Sequence, residues 1–260
     1  MKKFVTPFFA LTVCVLVSNV YAVTDTATYT ATAAGNNANE TLKASATFVL
    51  TNSDLVVTLA NISTSDPSDP ADILTGVFLE IAGDPKLTPV SADLGPDSTL
   101  RGRSVPTNFS GNVSGEWSYR NDLLHAPQGD NEGISSTSLK WFNARYLFSS
   151  DRLRGAQSLS QVQFGLTTLN DLPGNDDAAL RGRTLIANSV VLTFAGLPAD
   201  FTLSEISKVE FQYGYRVTPA SELLGEPLDV VSVPEPSTIG LVVAGLFGAI
   251  AFARRKSGSR

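Results

Sequence analysis

Between its two ends the chain alternates apolar and polar positions in short runs divided by Gly, Pro, Asp and Asn. Phe48 to Leu50, Leu55 to Asn61 and Gly76 to Ala82 read as strands, rich in Val, Thr, Phe and Ile. Asn52-Ser53-Asp54 is short enough to turn the first two into a hairpin. Glu116 to Arg120 is a strand candidate with Trp117 and Tyr119. Val162 to Leu169, Leu185 to Phe194 and Lys208 to Val217 alternate again. Residues 23–45 are small and polar with a loop at 35–39, and 83–112 look irregular. Asp66-Pro67-Ser68-Asp69-Pro70 must be loop, and Leu139 to Leu147 fits strand or short helix equally. No segment of about 12 residues with helical period stands out. The pattern predicts an all-β protein, a single jelly-roll-like β-sandwich over 23–217, with a linker over 218–233.

The ends follow different rules. Met1-Lys2-Lys3, the apolar run Phe4 to Val17 and small residues at Val20 and Ala22 make a secretory signal peptide over 1–22, a signal helix cut after Ala22 by signal peptidase. The alternative, a membrane anchor, needs roughly 20 apolar residues, and this run is shorter. At the other end, 234–260 holds Pro234-Glu235-Pro236, the uncharged stretch Ile239 to Ala253, and Arg254-Arg255-Lys256. As a helix, 239–253 would rise about 22 Å, short for a resident transmembrane helix but adequate for a transient one. The basic cluster after it would stay cytoplasmic and stop translocation, leaving the body outside. Pro-Glu-Pro resists helix and presents extended backbone that a processing enzyme can grip.

Those three parts resemble the PEP-CTERM sorting signal. The resemblance implies secretion in a Gram-negative bacterium, a transient inner-membrane precursor, and processing near Pro234-Glu235-Pro236 by a membrane-embedded exosortase. The alternative is a plain C-terminal anchor. More loosely, Leu55 to Ser63, Asp72 to Leu79, Gly115 to Tyr119, Gly133 to Ser136 and Val209 to Gly214 are similar to exosortase-dependent surface proteins of unknown activity. That likeness implies a surface or extracellular-matrix protein, associated with biofilm or exopolysaccharide, and carries no catalytic residues with it.

Composition narrows the chemistry. Of the 260 residues, the single cysteine, Cys14, falls in the signal, so the exported body has neither disulfides nor thiol chemistry and must depend on its core. Residues 23–233 carry 24 acidic and 13 basic side chains, a net charge of −11, which disfavours nucleic acid. His125 stands alone, and no G-x-S-x-G elbow accompanies it. Glu116 and Glu210, on predicted strands, are a formal glycosidase pair, and exposed strand-face glutamates explain them equally well. Asp66, Asp69 and Asp72, and Asp171, Asp176 and Asp177 with Asn170 and Asn175, are hard-oxygen candidates for calcium, although turns use the same residues. Leu100-Arg101-Gly102-Arg103, Leu153-Arg154-Gly155 and Leu180-Arg181-Gly182-Arg183 are three basic loops, a patch for acidic sugar or mere turn chemistry. Trp117, Tyr119 and Trp141 are either stacking platforms for sugar or core, with core favoured. The sequence therefore favours a non-catalytic exported protein without cofactor. Its alternatives are a carbohydrate-binding module, with or without calcium, and then a secreted glycosidase.

Overall fold

The computed structural model describes residues 25–36, 40–51, 54–102, 109–121, 123, 129–139, 148, 162–169, 180–218 and 221–228. Within them the protein is all-β. Its strands are β1 (Thr26–Ala34), β2 (Thr41–Thr51), β3 (Asp54–Asn61), β4 (Leu74–Ile81), β5 (Thr88–Leu94), β6 (Thr99–Arg101) and β7 (Ser118–Asn121). They continue with β8 (Glu132–Ser135), β9 (Leu166–Thr167), β10 (Leu185–Ala187), β11 (Ser189–Ala195), β12 (Ile206–Tyr213), β13 (Glu222–Leu224) and β14 (Glu226–Leu228). One sheet runs β14-β1-β2-β3-β11-β5. The other runs β13-β12-β4-β9-β10-β6, with β8 also on β4 and β7 on β8. All pairings are antiparallel except β9 with β10.

One apolar cluster draws on both sheets. Ala44, Ala46 and Phe48 of β2 and Leu55, Val57 and Leu59 of β3 are buried, while the residues between them in β2 are only half-buried. They share the cluster with Val77, Leu79 and Ile81 of β4 and with Val209, Phe211 and Tyr213 of β12. Each large side chain buried this way stabilises the fold by about 1.5–3 kcal/mol. The antiparallel pairing of β2 with β3 expected of a hairpin is present up to Thr51 opposite Asp54, with residues 52 and 53 outside the described residues.

The outer face of the second sheet is covered as well. Phe78 joins Leu123, Leu139, Phe148 and Val217, and Ile73 joins Val162, Leu180 and Leu185, in two smaller clusters. Strand β4 is thus buried on both faces, which is why its sequence runs apolar with little alternation. At Gly76 the backbone of β8 comes so close that an added Cβ would lie 2.4 Å from the Ile134 carbonyl oxygen.

Four sequence expectations change. The small polar stretch 23–45 contains β1 and the start of β2, because Ala27, Ala31, Ala44 and Ala46 are the inward positions of an Ala/Thr alternation. Residues 83–112 contain β5 and β6. The run Leu185 to Phe194 is two strands in different sheets, divided at Asn188. Its φ of 85° is a left-handed conformation that Asn tolerates better than most residues.

The fourth change concerns the body's end. The stretch 218–233 is not a bare linker, because β13 extends the second sheet beside β12 and β14 extends the first beside β1. Gly225 between them sits in the seam, where a Cβ would meet Phe211 at 3.0 Å and Tyr29 at 3.3 Å. The body therefore reaches Leu228 rather than 217. The expected signal helix over 1–22 and the apolar stretch 239–253 lie outside the described residues. Among the described residues no helix is long and apolar enough to cross a membrane.

Candidate functional site

The loop between β3 and β4 carries the first aspartate series, and each carboxylate there has a structural partner. Asp66 accepts from Thr168 Oγ1 at 2.6 Å. Asp69 caps the 3-10 turn Pro70–Asp72 by accepting from the Ala71 N–H at 2.8 Å. Asp72 is buried and accepts from the Asn36 N–H at 3.0 Å and the Asn36 amide at 3.2 Å. Burial pushes the Asp72 carboxyl up to about 6; the Asn36 N–H pulls against this, and nearby Glu40 adds to it. Among the described residues no three acidic, His or Cys side chains come together as a metal site. Asp66, Asp69 and Asp72 each accept hydrogen bonds that tie the loop together. Asp171, Asp176 and Asp177 lie outside the described residues, as do His125, Trp141, Ala22, Pro234, Glu235, Pro236, Arg254, Arg255 and Lys256.

That loop forms one wall of a groove. Asp69, Pro70 and Ala71 face Tyr213, Gly214, Tyr215, Arg216, Thr218 and Ser221 across a space of about 420 Å³. Strand β12 ends at Gly214, whose φ is +71° and whose N–H donates to the Ile73 carbonyl at 2.8 Å. A Cβ at Gly214 would lie 3.1 Å from Ala71 Cα, so glycine lets the two walls meet at the floor. The second wall is braced by Ser221, whose hydroxyl donates to the Arg216 carbonyl and accepts from the Thr218 N–H, at 2.9 and 2.8 Å. Gln212 Nε2 reaches the same Arg216 carbonyl at 3.1 Å. Tyr215 is exposed, with the Arg216 guanidinium 5.4 Å from its ring centre.

Ionisable groups also collect on the outer face of the second sheet. Lys208 Nζ lies 2.9 Å from Glu210 Oε1 and 3.2 Å from Asp130 Oδ1, and both carboxylates are buried. Burial and the adjoining Glu210 carboxyl push Asp130 up to about 7, with Lys208 pulling the other way. Burial pulls Lys208 down, yet the two carboxylates more than offset it and its net shift is upward. Glu222, opposite Gln212 on β13, is pushed up to about 7 by burial and by Glu210. On the inner face Tyr119 donates to Glu132 Oε2 at 2.6 Å.

The formal pair Glu116 and Glu210 is not assembled. Glu210 on β12 lies opposite Phe78, Phe78 opposite Gly133, and Gly133 opposite Arg120. Three strand steps are about 14 Å, and Glu116 sits four residues further back, beyond the separation glycosidase carboxylates use. Trp117 and Tyr119 are buried in the main core, and Tyr119 packs on Phe194 at 5.0 Å, so neither is a stacking platform. Among the described residues the exposed aromatic is Tyr215, which lies within the run Lys208 to Val217 that the alternation predicts as one continuous strand. The signal was the Gly214 that ends the strand just before it. Two of the Leu-Arg-Gly repeats do adjoin: Arg101 pairs with Leu185, and Gly102 lies against the Arg183 carbonyl.

Residues 232–256 match the family model of the PEP-CTERM protein-sorting motif. No curated protein matches the chain. The motif starts just beyond β14, separated from Leu228 by residues 229–231, and it marks an exported bacterial protein for processing by an exosortase at the cell envelope.

Proposed function

We propose that the chain is a non-catalytic surface or extracellular-matrix protein of a Gram-negative bacterium, processed by an exosortase and retained in the exopolysaccharide layer. The observation that carries this reading is the sorting motif set directly behind the last strand of an all-β body. Signal peptidase removes 1–22, and the stretch 239–253 holds the precursor in the inner membrane until processing near Pro234-Glu235-Pro236. The body is a single β-sandwich with no cofactor, and its net charge of −11 disfavours nucleic acid as a partner. Catalysis has little support, since Glu116 and Glu210 stand apart and Glu210 is held by Lys208. Replacing Pro234, Glu235 and Pro236 by alanine is expected to leave an unprocessed, membrane-held form. Normal release of that variant would overturn the exosortase reading.

A second reading, a carbohydrate-binding module, is favoured by the groove with Tyr215 at its edge. Co-sedimentation of the protein with the producer's own polysaccharide tests it. Retention supports binding, and its absence favours a purely structural or protein-contacting role.

A further inference from the structure

We infer that the groove between the 69–71 turn and residues 213–216, 218 and 221 is a saccharide subsite, with Tyr215 as its stacking surface and Asp69 and Arg216 as its hydroxyl-binding pair. This rests on the carbohydrate-binding reading and gives it an address and a ligand class, a neutral hexose-based glycan. A sugar ring presents an apolar C–H face and a rim of hydroxyls. It is therefore bound by an aromatic face together with a few planar, charged hydrogen-bonding groups. The groove has those parts and little else. Among the described residues that line it, Tyr215 is the one exposed aromatic, Asp69 the one acid and Arg216 the one base.

The pieces are held in place before any ligand arrives. Arg216 is fixed at its carbonyl by Ser221 and Gln212, while its guanidinium lies over the Tyr215 ring. Tyr215 remains exposed beside that contact, and the guanidinium next to it carries donors for sugar hydroxyls. Across the groove, Asp69 accepts from the Ala71 N–H through Oδ1. A carboxylate has acceptor positions to spare after one such bond, enough for a ligand hydroxyl. Gly214 keeps the floor free of a side chain, since a Cβ there would lie 3.1 Å from Ala71 Cα, and its N–H bond to the Ile73 carbonyl ties the two walls together. A preformed site of this kind loses little ordering entropy on binding. The charge balance selects the class. One acid faces one base, so a carboxylate-bearing sugar would meet Asp69 as well as Arg216, in a body that already carries −11.

The test uses the full chain in a zwitterionic detergent, since sugar-headed detergents would compete. Its binding to soluble cello-oligosaccharides, malto-oligosaccharides and alginate is measured by calorimetry, alongside co-sedimentation with the producer's polysaccharide. Wild type is expected to bind at least one neutral series. Tyr215→Ala should weaken that binding about tenfold or more, and Tyr215→Phe should stay within about threefold. Asp69→Asn, which keeps an oxygen to cap the turn, should weaken it without changing thermal stability. Because Tyr215 is exposed, its variants should melt with wild type, so lost binding is not lost folding. Unchanged affinity in Tyr215→Ala would overturn the groove while leaving carbohydrate binding in place. Binding to alginate alone would overturn the neutral class. Failure to bind any of the three soluble glycans would overturn the subsite, and failure on the producer's polysaccharide as well would overturn the reading beneath it.

Discussion

Glu132 should make the body less stable as the pH rises from about 5 to about 8. The carboxyl lies wholly inside, paired across β8 with Leu79 and Asn121. Tyr119 donates to one of its oxygens, and the other has no hydrogen-bond partner among the described residues. Burial pushes it up to about 7; the Tyr119 hydroxyl pulls it down, and Asp84 adds to the rise. In the unfolded chain a glutamate loses its proton near 4.3. Between those values the folded state keeps a proton that the unfolded state has released, so stability falls with rising pH and is lowest above about 7. The whole gap corresponds to about 4 kcal/mol, of which about 3 kcal/mol falls between about pH 5 and about pH 8.

Glu132→Gln keeps the shape, can accept from Tyr119 through its amide oxygen, and never ionises. Urea unfolding should give wild type and variant similar stabilities near about pH 5, with the variant ahead by about 3 kcal/mol near about pH 8. Asp72, Asp130 and Glu222 shift in the same direction and steepen the slope of both proteins. The difference between the two slopes therefore isolates Glu132, since Asp130 and Glu222 act on the opposite face of the sheet. Equal slopes, or a variant that is the weaker protein near about pH 8, would refute the reasoning.

Two further substitutions test the second sheet. Lys208→Met strands the buried Asp130 and Glu210 carboxylates, and should cost about 3–5 kcal/mol in thermal or urea unfolding, more in mild base than in mild acid where Asp130, pushed up to about 7, takes up a proton. A small loss that is the same at both pH values would show the lysine to be peripheral. Gly76→Ala drives a Cβ against the Ile134 carbonyl and the Ser135 Cα, both backbone, and should cost about 1–3 kcal/mol. An unchanged urea midpoint would mean that β4 and β8 can move apart.

The strands most legible in sequence were those with one wet face. Leu55 to Leu59 alternates because β3 buries every second residue there, and its hairpin with β2 shows as a short polar break. Legibility failed wherever the inward residue was alanine, as in β1, because small side chains give no hydrophobic contrast with threonine. It failed again at Asn188 and Gly214, where one left-handed residue changes sheet or ends a strand inside a continuous apolar run. The sorting motif was legible because its three parts are contiguous. The groove was not, since its walls, 69–71 and 213–221, are far apart in sequence and meet only when β4 pairs with β12. The acid cluster was hidden for the same reason. Asp130 comes from a loop and Glu210 from a strand, and nothing local distinguishes a buried glutamate from an exposed one.

The two ends of the body leave it side by side, and that bears on how the proposed processing operates. Thr28 near the start of β1 pairs with Leu228 at the end of β14, and the Leu50 N–H donates to the Asp25 carbonyl at 3.1 Å. The described chain therefore begins beside the strand at which it ends. From Leu228 to Pro234 the chain has six residues, a reach of at most about 20 Å. On the exosortase reading the folded body stands within that reach of the processing motif, not at the end of a long tether. Strand β14 is suited to the position. It is exposed along its length, pairs with β1 over three residues, and carries Glu226 and Pro227, which discourage another strand from adding to the edge. So few contacts can open locally without disturbing the core, adding about 10 Å of reach, while β13 keeps its pairing with β12. The same segment thus closes both sheets and supplies slack at the end that must be reached, a combination that an unstructured linker would not require.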